Sequence, residues 1–145
     1  MPNPVPAGYA TVTPYLCVAD AAKLIEFLKQ AFDAHLNFKM DGPGGRIMHA
    51  EMTIGDSRIM LGQPAPGQET HAMIHLYMPD ADAVYARAIA AGATSVREPA
   101  DQFYGDRSAG VRDQFGNQWY IATHVEDVSE EEMERRMSAM NTASA

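Results

Sequence analysis

The fold is indicated first by one stretch of the chain, MHAEMTIGDSRIML (residues 48–61). Apolar and polar side chains alternate on both sides of Gly55-Asp56, a pattern typical of strands that are buried on one face. A Gly-Asp pair between two such runs favours a tight hairpin turn. The sequence therefore predicts a hairpin made of strands at 46–54 and 57–62.

The residues that precede this hairpin complete a β-α-β-β-β unit. TVTPYLCV (11–18) alternates as a strand does. DAAKLIEFLKQAF (20–32) carries apolar residues at helical spacing behind Asp20, a good N-cap. HLNFKM (35–40) predicts a further short strand. Module 1 thus extends over about residues 9–63.

The same order of elements recurs after a Pro- and Gly-rich linker at 63–70. Module 2 extends over about residues 71–125 and again reads as a strand, a helix and three strands. Matching features repeat at an offset of about 60 residues, namely the N-caps Asp20 and Asp80 and the tight-turn glycines Gly55 and Gly116. Two markers at nearly the same offset indicate an internal duplication.

A last helix is predicted at about residues 128–140, where Ser129 and Glu132 have the spacing of a capping box. Its methionines form one stripe, consisting of Met133, Met137 and Met140. This stripe favours docking on the chain's own domain or on a second subunit. Recognition of a separate partner protein and a ligand-binding methionine surface remain open alternatives.

The composition restricts the class of protein. The chain has 145 residues, of which 46% are hydrophobic and 21% charged, as expected for one globular domain at 1–145. A net charge of −8 disfavours nucleic acid as a partner and permits a cationic ligand. The sequence has a single cysteine, Cys17, and shows neither a signal peptide pattern nor an apolar run of membrane-spanning length. We therefore expect a cytoplasmic protein without a membrane partner.

The order of four motifs resembles the vicinal oxygen chelate superfamily, which includes glyoxalase I, extradiol dioxygenases and bleomycin-resistance proteins. These motifs are VTPYLCVADAAKLIEFLKQAF, MHAEMTIGDSRIML, FYGDR and DQFGNQWYIATHVEDVSEEE, and the resemblance covers about residues 9–125. They are most similar to an uncharacterised bacterial glyoxalase-like branch. The resemblance implies an α+β fold in which two βαβββ modules form a curved eight-stranded mixed sheet with a concave cleft. It also implies a homodimer, and it leaves open whether the cleft forms within one chain or between two.

Strand periodicity predicts which side chains line this cleft. Each strand has one apolar face, suited to pack under helices, and one mixed face with polar, aromatic and methionine side chains. The mixed faces and the FYGDR loop supply the predicted ligand-binding residues Thr13, Tyr15, Met60, Met73, His75, Tyr77, Tyr104, Arg112 and Tyr120. A solvated outer face or a dimer interface is the alternative interpretation of these positions.

Metal-dependent members of the superfamily hold a divalent ion on the first and last strand of each module. Carried over to this sequence, those positions are Thr13, Met60, Met73 and Tyr120. Thioethers are soft ligands, and a hydroxyl or a neutral phenol is a weak donor for a divalent ion. We therefore expect no metal or other cofactor, and the departure disfavours glyoxalase I and extradiol dioxygenase activity.

The resemblance then implies a small-molecule-binding protein whose cleft takes a planar or cationic ligand. His49 and Glu51 share the mixed face of their strand, and a carboxylate beside an imidazole is an arrangement used in general base catalysis. An enzyme of the lyase or isomerase type is therefore the alternative function. It would work through acid–base chemistry at His49 and Glu51, or through a non-standard divalent metal site completed by His75 and His124.

Overall fold

The computed structural model describes residues 1–144, which form two βαβββ modules followed by a C-terminal helix. The strands and helices of module 1 are β1 (Tyr15–Cys17), α1 (Ala21–Phe32), β2 (His35–Asp41), β3 (Ile47–Ile54) and β4 (Ser57–Gly62). Module 2 contains β5 (Met73–Tyr77), α2 (Ala81–Ala90), β6 (Thr94–Asp101), β7 (Asp106–Arg112) and β8 (Gln118–His124). Helix α3 (Glu130–Ser144) follows.

The eight strands are divided between two four-stranded mixed sheets. Sheet A has the order β1-β4-β3-β2, and sheet B has the matching order β5-β8-β7-β6. In each sheet the first strand of the module pairs in parallel with the last, and the other neighbours are antiparallel. The predicted α+β class and the two βαβββ modules are confirmed.

The helix starts show how closely the two modules repeat one another. The side chain of Asp20 accepts a hydrogen bond from the backbone N–H of Lys23, and that of Asp80 accepts one from Ala83, both at 3.1 Å. Both caps have a φ of −142°. The same local sequence signal therefore starts the same turn of helix in both halves.

One hydrophobic core serves both modules. Residues of α1, α2 and the helix-facing sides of both sheets belong to a single buried cluster. Phe32 at the end of α1 packs on Trp119 of β8 with 5.2 Å between the ring centroids, and both side chains are almost completely buried. Because the helices cover one face of each sheet, the opposite face of each sheet carries the exposed side chains. We call these surfaces mixed face A and mixed face B.

Strand β1 is shorter than the sequence predicted. Only Tyr15–Cys17 is a strand, whereas the alternation predicted residues 11–18. The backbone N–H of Met60 still donates to the carbonyl of Pro14, but Pro14 has no N–H to return. Thr13 therefore lies ahead of sheet A rather than on its mixed face, which corrects the predicted position of this residue.

Helix α3 begins at Glu130 and extends beyond the predicted end at residue 140. Its main polar anchor is Arg136, which donates to the carboxylate of Glu126 and to the carbonyl of Phe103. Met137 is 47% exposed, so the stripe is not buried on the domain at this position. Within residues 1–144, no helix is long and apolar enough to cross a membrane.

Candidate functional site

Three neighbouring strands bring polar side chains together at the centre of mixed face A. In the strand register, Met60 of β4 lies opposite both Tyr15 of β1 and Glu51 of β3. His49 precedes Glu51 by two residues and so projects from the same face. The sheet therefore places Tyr15, Met60, His49 and Glu51 side by side, as the periodicity predicted.

These side chains form a continuous chain of hydrogen bonds. The Tyr9 hydroxyl donates to Oε1 of Glu51, whose other oxygen lies 2.8 Å from Nε2 of His49. Nδ1 of His49 lies 3.1 Å from the hydroxyl of Tyr15. A residue before the first strand is thus linked through β3 to a phenol on β1.

The electrostatics fix the direction of these hydrogen bonds. Hydrogen bonds from Tyr9 and then His49 lower the pKa of Glu51, so its carboxylate is ionised near neutral pH. Burial raises the pKa of the Tyr15 phenol, which therefore keeps its proton. An ionised carboxylate only accepts, so Nε2 of His49 donates to Glu51. When the imidazole carries no second proton, its Nδ1 accepts from the hydroxyl of Tyr15. Three groups thus stand in the order phenol, imidazole and carboxylate, with the phenol facing outward.

Arg58 of β4 extends the cluster towards module 2. Its guanidinium lies over the ring of Tyr9, 5.3 Å from the ring centroid. Tyr9 and Arg58 line a cavity of about 390 Å³ between the N-terminal segment, the β3–β4 hairpin and β5. His75 of β5 lines the same cavity. The hydrogen-bonded cluster of module 1 and the first strand of module 2 therefore meet at this cavity.

Aromatic and methionine side chains surround the polar cluster and remain exposed. Tyr15, Phe38 and Met40 are each about half exposed. Phe38 lies opposite Glu51 in the register, and its ring centroid is 6.3 Å from that of His49. The alternation along β3 predicts that Met48, like Met52, faces the helices, but Met48 is 44% exposed and lines a small cavity beside Tyr15. A group of exposed apolar side chains like this one is typical of surfaces that bind a ligand or contact another subunit.

Mixed face B carries the predicted residues of module 2. Met73, His75 and Tyr77 alternate along β5 and are all exposed. The rings of His75 and Tyr77 pack with their centroids 4.9 Å apart. Tyr120 lies opposite His75 in the register and is half-buried. Mixed face B, like mixed face A, therefore presents aromatic and methionine side chains to solvent.

The remaining predicted residues lie at the margins of sheet B. Tyr104 is in the loop between β6 and β7 and packs edge-on against Phe103. Arg112 is exposed at the end of β7. His124 lies between two carboxylates, with Nδ1 2.8 Å from buried Asp106 and Nε2 2.7 Å from Asp127. Hydrogen bonds that His124 donates to Asp127 and then to Asp106 raise its pKa.

The metal positions implied by the family resemblance do not fit a divalent ion in this chain. Thr13 lies ahead of sheet A, and Met60 and Met73 offer only thioethers. Tyr120 offers a phenol, so none of the four positions supplies a strong donor for a divalent ion. Among residues 1–144 no three His, Cys, Asp or Glu side chains are grouped for one ion. The alternative site made of His75, His124 and Glu51 is therefore not assembled, since Glu51 and His124 are bonded elsewhere.

Sequence reasoning missed three residues that complete these surfaces, whereas strand parity does place Arg58 on mixed face A. Tyr9 lies outside any periodic segment. The sequence around Asp106 and Arg97 of sheet B does not distinguish these residues from ordinary charged residues on the surface. Only contacts between segments that are distant in the chain bring these residues to the two sheets.

The chain matches a known family over most of its length. Residues 8–121 match the Glyoxalase/Bleomycin resistance protein/Dioxygenase superfamily. An uncharacterized protein of Mycobacterium bovis is 36% identical over 140 residues, which cover 88% of this chain and 92% of that protein. An uncharacterized protein of Mycobacterium tuberculosis is also 36% identical and is covered to 82%.

Solved structures share the fold at lower identity. TioX from Micromonospora sp. ML1 has a TM-score of 0.69 and 24% identity, covering 80% of this chain and 99% of that one. The fosfomycin resistance protein FosX from Mesorhizobium loti has a TM-score of 0.59 and 19% identity, covering 79% and 91%. The two βαβββ modules and the family match lead to one conclusion: this chain belongs to the glyoxalase/bleomycin resistance protein/dioxygenase superfamily.

Proposed function

We propose that this protein binds a planar small molecule on mixed face A and that binding does not require a metal. The observation that carries this proposal is the Tyr9–Glu51–His49–Tyr15 chain, set among the exposed side chains of Phe38, Met40 and Met48. Such a surface offers apolar walls with a few fixed polar groups, as ligand sites do. Methionine side chains adapt their shape to flat ligands.

The charge of the site favours a ligand that carries a positive group. Glu51 is ionised, and the whole chain has a net charge of −8. A cationic group of the ligand would approach Glu51 from the open side of the sheet. The family match includes bleomycin resistance proteins, and this supports sequestration of a small molecule as the outcome of binding.

We propose in addition that the protein forms a homodimer. Mixed faces A and B together expose many large apolar side chains, among them Tyr15, Phe38, Met73 and Tyr77. A second copy laid against these faces would cover apolar surface and narrow the open cleft. Sedimentation analysis of the purified protein tests this part, and a monomer at micromolar concentration would refute it.

The binding proposal is tested with a panel of planar aromatic compounds, both cationic and neutral. Thermal shift identifies ligands, and calorimetry then measures affinity for the wild type and for Tyr15→Ala and Met48→Ala. We expect about a tenfold loss of affinity in each variant, because each removes apolar contact area. Met137→Ala is the matched control, since it removes an equally exposed methionine on α3. Equal affinity in all four proteins, or the absence of any ligand, would refute the proposal.

Acid–base catalysis is the second candidate, and the contact between Tyr15 and His49 favours it. An imidazole held between a carboxylate and a phenol can accept a proton from a bound substrate and return it at another atom. This is the chemistry of a lyase or isomerase. Deuterium exchange at the carbon next to the carbonyl of hydroxyacetone, followed by NMR, tests it. Exchange that His49→Gln abolishes and His35→Gln leaves unchanged would support an enzyme, and no exchange above buffer would contradict this reaction.

A further inference from the structure

Mixed face B holds an arginine, Arg97, that has no acidic partner among residues 1–144. Arg97 of β6 is exposed, and no Asp or Glu of residues 1–144 lies within ion-pair distance of it. By contrast, Arg107 of the neighbouring strand pairs with Asp82 and Asp101. The chain has 19 acidic and 11 basic residues, yet no acid of the described residues neutralises the guanidinium of Arg97.

Two contacts hold the guanidinium of Arg97 in place. One terminal nitrogen donates to the hydroxyl of Ser108, 2.8 Å away, and the Ser108 side chain is completely buried. The guanidinium also lies over the ring of Tyr120, 5.4 Å from its centroid. A flat cation stacked on an aromatic ring and tied at one corner loses little freedom when it binds a further group.

The tyrosine under the arginine is itself fixed. Its hydroxyl donates to Gln118, 3.2 Å away. Gly110 lies opposite Tyr120 in the register, and a Cβ at position 110 would come within 2.9 Å of the ring. The glycine therefore lets the Tyr120 ring lie close against β7, where the guanidinium of Arg97 stacks on it.

We propose that Arg97, stacked on Tyr120, is a binding site for an oxyanion, a carboxylate or a phosphate, carried by a small molecule. A guanidinium has five N–H donors in a rigid fork, and Ser108 takes one of them. The donors that remain match two oxygens of a carboxylate or phosphate. The site lies on mixed face B, so it stands independently of the proposed ligand site on mixed face A.

Benzoate, phenyl phosphate and neutral benzamide are the probes that test this site. Binding is followed by NMR of the 15N-labelled protein, including the Arg97 side-chain Nε–H signal. We expect benzoate or phenyl phosphate to shift the signals of Arg97 and Ser108, benzamide to leave them unchanged, and added salt to weaken the effect. The tighter of the two anions identifies the preferred group.

Variants separate this site from mixed face A. Arg97→Gln should weaken anion binding about tenfold or more, and Arg97→Lys should restore it only in part, because lysine lacks the fork. Arg87→Gln on α2 is the matched control for loss of one positive charge. The proposal is wrong if benzamide binds as well as benzoate, if Arg97→Gln binds both anions normally, or if the shifts appear around Tyr15 instead.

Discussion

The hydroxyl of Tyr15 lies 3.1 Å from Nδ1 of His49, although the two residues are 34 positions apart in the chain. This contact exists because β3 and β1 both flank β4 and turn these side chains to the same face. His49 alone could rotate, but the carboxylate of Glu51 on one side and the phenol on the other hold its ring. The pair therefore gives mixed face A a fixed polar group in otherwise apolar surroundings.

Acid should weaken the fold partly through Glu51. The pKa of this carboxyl is lower in the folded protein, because Tyr9 and His49 donate to its charged form. Its contribution to stability is therefore present above the unfolded pKa, about 4.3, and is lost as the pH falls through the folded value. We expect the melting temperature of Glu51→Gln to fall less than that of the wild type between about pH 6 and pH 3.

The control for this prediction is Glu26→Gln on α1, whose carboxylate is exposed and pairs loosely with Lys29. It should leave the wild-type pH dependence in place. Identical acid profiles for the wild type and Glu51→Gln would show that the hydrogen bonds of Glu51 add nothing to stability.

The contribution of His124 to stability should change with pH in the opposite direction to that of Glu51. Asp127 and Asp106 raise its pKa, so its stabilising contribution is complete below the unfolded pKa, about 6.5, and is lost as the pH rises through the folded value. NMR titration of the wild type should place this histidine above about 6.5, and Asp127→Asn should lower the value. Because the side chain is 51% exposed, water screens the pairs and the change in melting temperature should be small. A titration midpoint below that of a free histidine would contradict the observed contacts.

The sequence predicted the architecture because its signals are local. Alternation, the N-caps Asp20 and Asp80 and the tight turns each depend on a few neighbouring residues, and both modules repeat them. The candidate site was predicted only in part. Strand parity identified His49, Glu51 and Tyr15, but Tyr9 and Arg97 reach their surfaces through pairing between distant segments.

The errors have physical causes of the same kind. Thr13 was assigned to β1 because the alternation continues through it, whereas the strand begins only after Pro14. Met48 was placed under the helices by parity. A register irregularity where β2 and β3 begin to pair leaves it exposed instead, while Ile47 is buried.

Asp113 should be essential for the turn between β7 and β8. Its buried carboxylate accepts hydrogen bonds from the backbone N–H of Phe115 and Asn117 and from Nε1 of Trp119. Asp113→Ala leaves these donors buried without a partner, so we expect a loss of about 2–4 kcal/mol in the free energy of unfolding. Urea denaturation followed by the fluorescence of Trp119, the single tryptophan, measures it.

Asp56→Ala is the matched control, because Asp56 lies in the corresponding exposed turn of module 1. Within residues 1–144 its side chain accepts a hydrogen bond only from Ser57. Its effect should be within about 0.5 kcal/mol. If both variants lost the same free energy of unfolding, the buried hydrogen bonds of Asp113 would add no more stability than the exposed turn residue Asp56 does.

Removal of the Phe32 ring should destabilise both modules at once. Phe32 belongs to α1 of module 1, yet its ring packs on Trp119 of module 2 at 5.2 Å and is 1% exposed. Phe32→Ala leaves a cavity at this junction, and we expect a loss of about 3–5 kcal/mol. Unfolding should remain a single transition, because one core serves both halves.

Phe38→Ala is the matched control, since it removes the same atoms from a ring that is 48% exposed. Its loss in the free energy of unfolding should be below about 1 kcal/mol. Denaturation followed by circular dichroism and by Trp119 fluorescence reports on both modules. Two separate transitions in Phe32→Ala would mean that the modules fold independently and that the shared core does not couple them.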